Sequence, residues 1–250
     1  MKTVRRKRAD QLLVEHALAA SRQKAQQLIS QGDVFVNAER VRKSGQLLDE
    51  DALLTLKSDA PQWVSRAGQK LSHAFEHFPL GDITGAVCAD IGASTGGFSE
   101  VLLHHGAGRI YAVDVGTDQL APSLATDSRI CNLQQLNVRE LTTQHIPQPL
   151  DLVVSDLSFI SVTKALMRPM DMVRTGGQLV CLVKPQFEVG RAYIGKKGIV
   201  KSAEAHQMAL QTVSHFIENQ PGWQCQHSCV SPITGSGGNT EFLLHATKTA

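Results

Sequence analysis

Asp90, Gly92, Gly96 and Gly97 fall within AVCADIGASTGGFSE (86–100), which reads as a short buried strand, a glycine-rich turn and the start of a helix. Glycines let backbone approach a ligand without Cβ clashes, and a turn of this kind points N–H groups at that ligand. The stretch therefore reads as a nucleotide-cofactor site, with Ser94, Thr95 and Phe98 beside the glycines. Its spacing, Gly-x-x-x-Gly-Gly after an aspartate, departs from the dinucleotide fingerprint with glycines at positions one, three and six. That departure favours S-adenosylmethionine over NAD.

Further strands are required to complete such a site. RIYAVD (109–114) ends in Asp114, where an open α/β sheet places a carboxylate beside a ribose. ICNLQQLN (130–137), a poorer strand by composition, brings Asn137 to the adenine edge. LDLVVSD (150–156) and QLVCLVK (178–184) deliver Asp156 and Lys184 to the same carboxyl edge, where ligands bind in these sheets. Most Lys and Asp side chains are merely solvated, but this pair, at neighbouring strand ends facing a cofactor cleft, is poorly explained by packing.

The 250 residues suffice for one large domain and a small one. Residues 1–70 hold 13 Lys/Arg against 8 Asp/Glu in a chain of net charge +2, which leaves the remainder net acidic. A basic module beside a near-neutral one suits an enzyme acting on nucleic acid, because phosphate contacts supply much of the affinity. The small module reads as α+β. A helix spans 9–15, and a second, capped by Ser21, ends at Gly32. Short strands follow at 33–37 and 52–56. Arg22 and Lys24 sit in the first turn of the second helix, against its dipole, which points to a task outside the fold. With Arg40, Arg42 and Lys43 after the strand, they form a candidate phosphate-binding face. The run Arg5, Arg6 and Arg8 joins that face, the alternative being a solvated tail.

Five cysteines, at 88, 131, 181, 225 and 229, form no CxxC pair and read as reduced residues of a cytoplasmic protein. Cys225, His227 and Cys229 lack a second cluster to complete a zinc site, so no metal is expected. No apolar run reaches membrane-spanning length. The basic N-terminus followed by LLVEHALAA mimics a signal peptide, but Asp10, Glu15 and His16 favour a helix.

The motifs RADQLLVEHALAASRQKAQQLISQGDVFVN, VSRAGQKL, DIGASTGGFSE, DLSFIS, LVKPQFEVGR, GKKGIV and SPITGSGGNTEF occur in order along nearly the whole chain. In this set the chain resembles the haemolysin A (TlyA) family, which joins an S4-like RNA-binding domain to an FtsJ-type ribose 2′-O-methyltransferase. The family pattern usually has a second glycine where Ala67 stands and a glycine where Lys197 stands. The resemblance implies a Rossmann-like α/β S-adenosylmethionine-dependent methyltransferase with a small N-terminal α+β S4-like domain. Its expected division is an S4-like domain at 1–60, a linker at 61–68 and a methyltransferase domain at 69–250. It further implies a Lys-Asp-Lys-Glu set, carried here by Lys70, Asp156, Lys184 and Glu241. The implied substrate is a cytidine ribose of small- or large-subunit ribosomal RNA, met as RNA or in ribosomal subunits.

Methyl transfer to a sugar hydroxyl requires oxygen, carbon and sulfur in line, and removal of a proton from a weakly acidic group. On the resemblance, Lys184 is the base or oxyanion stabiliser. Asp156 orients it and the sulfonium end of the cofactor, and Lys70 with Glu241 positions the ribose. A base methyltransferase would carry an Asn/Asp-Pro-Pro-aromatic motif or a cysteine after the fourth strand, which DLSFIS lacks. A pore-forming haemolysin needs a membrane-active element. A ribosome-binding factor with a silent pocket would not require the four charged residues.

Overall fold

The computed structural model describes residues 6–36, 39–50, 52–56 and 63–249, so Arg5, Asn37 and Pro61 lie outside the described residues. The chain divides into two compact units, Met1–Gln62 and Trp63–Ala250.

The first unit runs β1 (Arg6–Arg8), α1 (Ala9–Glu15), α2 (Arg22–Gln31), β2 (Val34–Val36), β3 (Glu39–Arg40), β4 (Leu47–Asp49) and β5 (Leu54–Leu56). α2 begins and ends as its sequence dictates. Ser21 Oγ accepts the Lys24 N–H at 3.2 Å, and Gly32 terminates the helix at φ +83°, where a Cβ would be strained. Leu12, Leu13, Ala25, Leu28 and Ile29 pack from the two helices against Val34, Val41 and Leu54. Where the sequence allowed a solvated tail, Arg6–Arg8 is instead a strand paired with Leu47–Asp49. The cause lies at Asp10, which is fully buried. Arg8 donates to its carboxylate from Nε and Nη2 at 2.9 and 3.0 Å, Arg22 from Nη2 at 3.1 Å, and Gln26 from Nε2 at 3.0 Å. Arg8 foremost holds the Asp10 carboxyl well below the usual carboxylate range. Arg22 thus has a partner inside the fold, and its unfavourable position on the helix dipole needs no external explanation.

In the second unit Trp63 is buried in the core and α3 (Ala67–His77) follows. From Trp63 onward, the segment expected to be a linker therefore belongs to this unit. The chain continues through β6 (Val87–Ile91), α4 (Gly97–His104), β7 (Arg109–Val113), α5 (Pro122–Ala125), β8 (Ile130–Leu133), β9 (Leu150–Ser155), α6 (Val162–Ala165) and α7 (Met167–Asp171). It ends with β10 (Val173–Val183), α8 (Pro185–Glu188), α9 (Ala203–Glu218), β11 (Trp223–Val230) and β12 (Phe242–Lys248).

These strands form one seven-stranded sheet in the order β11-β12-β10-β9-β6-β7-β8. The five strands from β10 to β8 are parallel, and β12 runs antiparallel between β10 and β11. Residues alternate between two cores, as the period of two requires. Ala89, Tyr111 and Val153 belong to the core that also holds Ala209 and Val213 of α9, while Cys88, Ile110 and Leu152 belong to the core that also holds Leu71 of α3 and Val101 of α4. From β6 the chain first builds outward to β7 and β8, then returns to place β9 on the other side. That reversal opens a crevice at the carboxyl ends of β6 and β9. The expected strand 130–137 is shorter than its run: it stops at Leu133, and Asn137 caps a turn by accepting the Arg139 N–H at 3.1 Å.

Asp10→Ala removes the acceptor of four hydrogen bonds, a destabilisation of about 2 kcal/mol for a buried carboxylate whose partners stay half-exposed. Hydrogen exchange on the full chain should show protection in α1 and α2 reduced roughly thirtyfold. Unchanged protection would contradict this account of the unit.

Candidate active site

Four elements converge at the crevice. Lys70 projects from the first turn of α3, Asp156 follows β9, Lys184 follows β10, and Glu241 immediately precedes β12. Val183 and Phe242 are paired across β10 and β12, so the end of one strand lies beside the start of the other. Lys70 Nζ donates to Asp156 Oδ2 at 3.0 Å and to Glu241 Oε2 at 2.7 Å. Lys184 Nζ lies 2.6 Å from Asp156 Oδ1 and donates to Ser158 Oγ at 2.8 Å. Two cations and two carboxylates are thus joined in a row, and Lys70, Lys184 and Glu241 are all buried. Burial alone would raise the Asp156 pKa, but Lys184 and Lys70 outweigh it and hold the carboxyl below its ordinary value.

Two cavities adjoin this row and share Gly92, Ser94, Asp156, Ser158 and Phe159. One, of about 350 Å³, is lined by Lys70, Lys184, Glu241, Asp90, Thr95 and Phe98. The other, of about 500 Å³, is lined by Asp114, Asn137, Val113, Leu136 and Ile160. Asp114 accepts the Ser94 N–H at 2.9 Å and the Gly116 N–H at 2.7 Å, which fixes the turn after β6 against the end of β7. Asp90 accepts from Ser99 N–H at 2.9 Å and Ser99 Oγ at 2.7 Å, while its Oδ1 is buried with no hydrogen-bond partner among the described residues. Burial pushes the Asp90 carboxyl up to about 7.

The glycines divide differently from expectation. Gly92 is the glycine of the cleft: it takes φ +83°, and a Cβ there would stand 2.9 Å from the Asp156 carbonyl oxygen. Gly96 and Gly97 line neither cavity. A Cβ at Gly96 would strike Leu124 and Leu120, and one at Gly97 would strike Ser65 Oγ and the Gly68 nitrogen. Both serve helix packing, so a valine at Gly97 would disturb the fold and not the ligand contact alone. Sequence reasoning missed Ser158, Phe159 and Phe187. Phe159, within DLSFIS, is 92% exposed at φ +67°, with its ring centroid 5.7 Å from that of Phe187. A bulky apolar residue held strained and uncovered at a cavity mouth is a functional signal, but only the structure reveals its exposure.

In the first unit, Arg6 pairs with Asp49 at 3.2 Å, and Arg8 and Arg22 pair with Asp10. Lys24 lies in the first turn of α2, and Arg40, Arg42 and Lys43 are exposed.

The sequence pattern of the FtsJ-like methyltransferases matches residues 63–248, and that of the S4 domain matches residues 7–54. The chain belongs to the FtsJ-like methyltransferase family and carries an N-terminal S4 domain. It is 40% identical to the 16S/23S rRNA (cytidine-2′-O)-methyltransferase TlyA of Mycobacterium tuberculosis, over 96% of this chain and 89% of that protein. It is 36% identical to Hemolysin A of Brachyspira hyodysenteriae, over 95% of this chain and 98% of that one. The solved structure described as "Putative hemolysin from Streptococcus thermophilus" superposes with a TM-score of 0.74 at 38% identity, covering 99% of this chain and 90% of that one. Among the described residues, no helix is long and apolar enough to cross a membrane.

The Asp90 carboxyl, whose folded pKa lies above its unfolded value of about 3.9, gives a pH signature. The folded state holds the extra proton, so this group's contribution to stability falls as pH rises from about 4 to about 7. Asp90→Asn keeps an acceptor for Ser99 and should flatten that fall. Melting temperatures at pH 5 and pH 8 should differ less in the variant than in the parent; an equal difference would refute the assignment.

Proposed function

We propose that this chain transfers the methyl group of S-adenosylmethionine to a ribose 2′-hydroxyl of ribosomal RNA, the target being a cytidine as in the TlyA relative. The observation that carries this reading is the buried Lys70–Asp156–Lys184–Glu241 row beside a nucleotide-sized crevice. The residues present fit the cofactor. Asp90 offers an unpartnered buried carboxylate oxygen toward the Lys-lined cavity, and Gly92 keeps the backbone free of a Cβ at the junction of the two cavities. Asp114 would take the ribose hydroxyls, with Asn137 and the apolar wall of the second cavity about the adenine. When bound, the cofactor supplies a methyl group already activated by a sulfonium.

The chain's own residues supply the rest. Lys184 Nζ, anchored by Asp156 and Ser158, faces the cavity as the group that receives the 2′-hydroxyl proton or steadies the developing oxyanion. Asp156 orients that amine, and Lys70 bridges Asp156 and Glu241, so that the two lysines together balance the two carboxylates. Lys70 and Glu241 hold the ribose edge. Phe159 and Phe187 offer faces on which an unstacked base can lie, the usual means of reading single-stranded RNA. The basic S4 unit supplies phosphate contacts through its exposed Arg40, Arg42 and Lys43, with Arg6, Arg8, Arg22 and Lys24 adding to its positive field.

Lys184→Ala should lower turnover roughly a hundredfold or more while cofactor affinity, read by calorimetry, stays near normal. The product should resist alkaline cleavage of its 3′ phosphodiester, because the attacking hydroxyl is blocked. A methyl found on a base, or near-normal turnover in the variant, would overturn the reading. Deleting residues 1–60 should weaken RNA binding and flatten its salt dependence while sparing the cofactor site; an unaltered salt slope would remove the S4 unit from RNA binding.

A further inference from the structure

The segment between α8 and α9 carries Arg191, Lys196, Lys197 and Lys201, with no acidic residue between Glu188 and Glu204. All four cations are exposed. No salt bridge or side-chain hydrogen bond engages any of them among the described residues, in contrast to Arg6, Arg8 and Arg22, which are paired within the first unit. The flanking glutamates are already occupied. Glu188 accepts from Ser161 Oγ at 2.6 Å and from the Val162 N–H at 2.8 Å, and Glu204 is held by Ser202.

The segment is fastened in place. Asn239, itself buried, accepts the Val200 N–H at 2.9 Å and donates to the Gly198 carbonyl at 3.0 Å, and the Gly195 N–H donates to the Ile199 carbonyl at 2.9 Å. Asn239 stands between Thr234 and Glu241, which line the Lys-bearing cavity. The cationic loop is therefore tied to the wall of the cleft.

Lys197 is the telling residue. It takes φ +67° and ψ 17°, a left-handed conformation that strains a side-chain-bearing residue and costs glycine little. This chain has a lysine there, strained, with no internal partner, in a loop free of acids. No packing gain offsets the strain, and a phosphate contact would.

We propose that the loop from Arg191 to Lys201 is a phosphate-binding surface on the methyltransferase unit, which grips the backbone of the RNA next to the nucleotide in the cleft. The proposal rests on the ribosomal-RNA reading and is separable from it by experiment. Binding of the full chain to purified ribosomal subunits is measured across a series of KCl concentrations for the parent, for K197G, and for the triple variant K196A/K197G/K201A. Every phosphate that the protein ceases to neutralise reduces the slope of log affinity against log salt by about 0.7 to 0.9. The triple variant should show a slope shallower by roughly two units, with S-adenosylmethionine affinity unchanged. K197G should drop by about one unit while its melting temperature holds or rises, because the strain is gone. K197R should keep the parental slope. A parent with a clear slope and a triple variant with the same slope would overturn the proposal and leave the loop to an acidic protein partner. A parent without salt-dependent binding to the subunits would overturn the RNA reading and this proposal with it.

Discussion

The carboxylate of Asp156 is shared by two lysines, and the geometry of the second unit turns on that sharing. Taking an ion out of water costs several kcal/mol even after relaxation, so four charged groups persist at this depth only as a balanced set. Lys70 meets both carboxylates, whereas Lys184 meets one and leaves the remainder of its ammonium or amine to Ser158 and the cavity. Lys70 therefore acts as the knot that holds α3 to the strand ends, and Lys184 is the lysine held by one carboxylate and one hydroxyl at the cavity wall. The set forms only when α3, β9, β10 and the segment before β12 are all in place, which ties assembly of the site to completion of the sheet.

The crevice itself follows from topology. The strand order reverses between β6 and β9, so their carboxyl ends diverge and the two following turns face each other across a gap. Gly92 sets the width of that gap, since its missing Cβ is what allows the Asp156 carbonyl to approach. Ser94 at φ +47° and Phe159 at φ +67° show that both turns are bent beyond what their side chains prefer. Such strain concentrates at binding sites, where surrounding structure enforces it.

Much of this is legible in the sequence because the signals are local. Buried apolar runs leading to Asp90, Asp114, Asp156 and Lys184 mark the strands and their carboxyl ends, and Ser21 and Gly32 mark both ends of α2. Lys70 and Glu241 become legible only through a resemblance, since no periodicity links residues brought together by α3 and by an antiparallel strand inserted beside β10. The packing of Gly96 against Leu120 and Leu124 and of Gly97 against Ser65 and Gly68 is not legible for a related reason: a glycine that admits a ligand and one that admits a neighbouring segment look alike in sequence. Arg8 and Arg22 look idle because their partner, Asp10, is an isolated acid whose burial no local pattern signals.

In the proposed reaction the buried Lys-Asp-Lys-Glu row promotes methyl transfer to a ribose of ribosomal RNA. Mass spectrometry of ribosomal RNA nucleosides from cells lacking this chain, complemented either with the parent or with the Lys184→Ala form, tests it most directly. One ribose-methylated nucleoside should disappear on deletion, return with the parent and stay absent with the variant. An unchanged ribose-methylation profile on deletion, or full restoration by Lys184→Ala, would contradict the account.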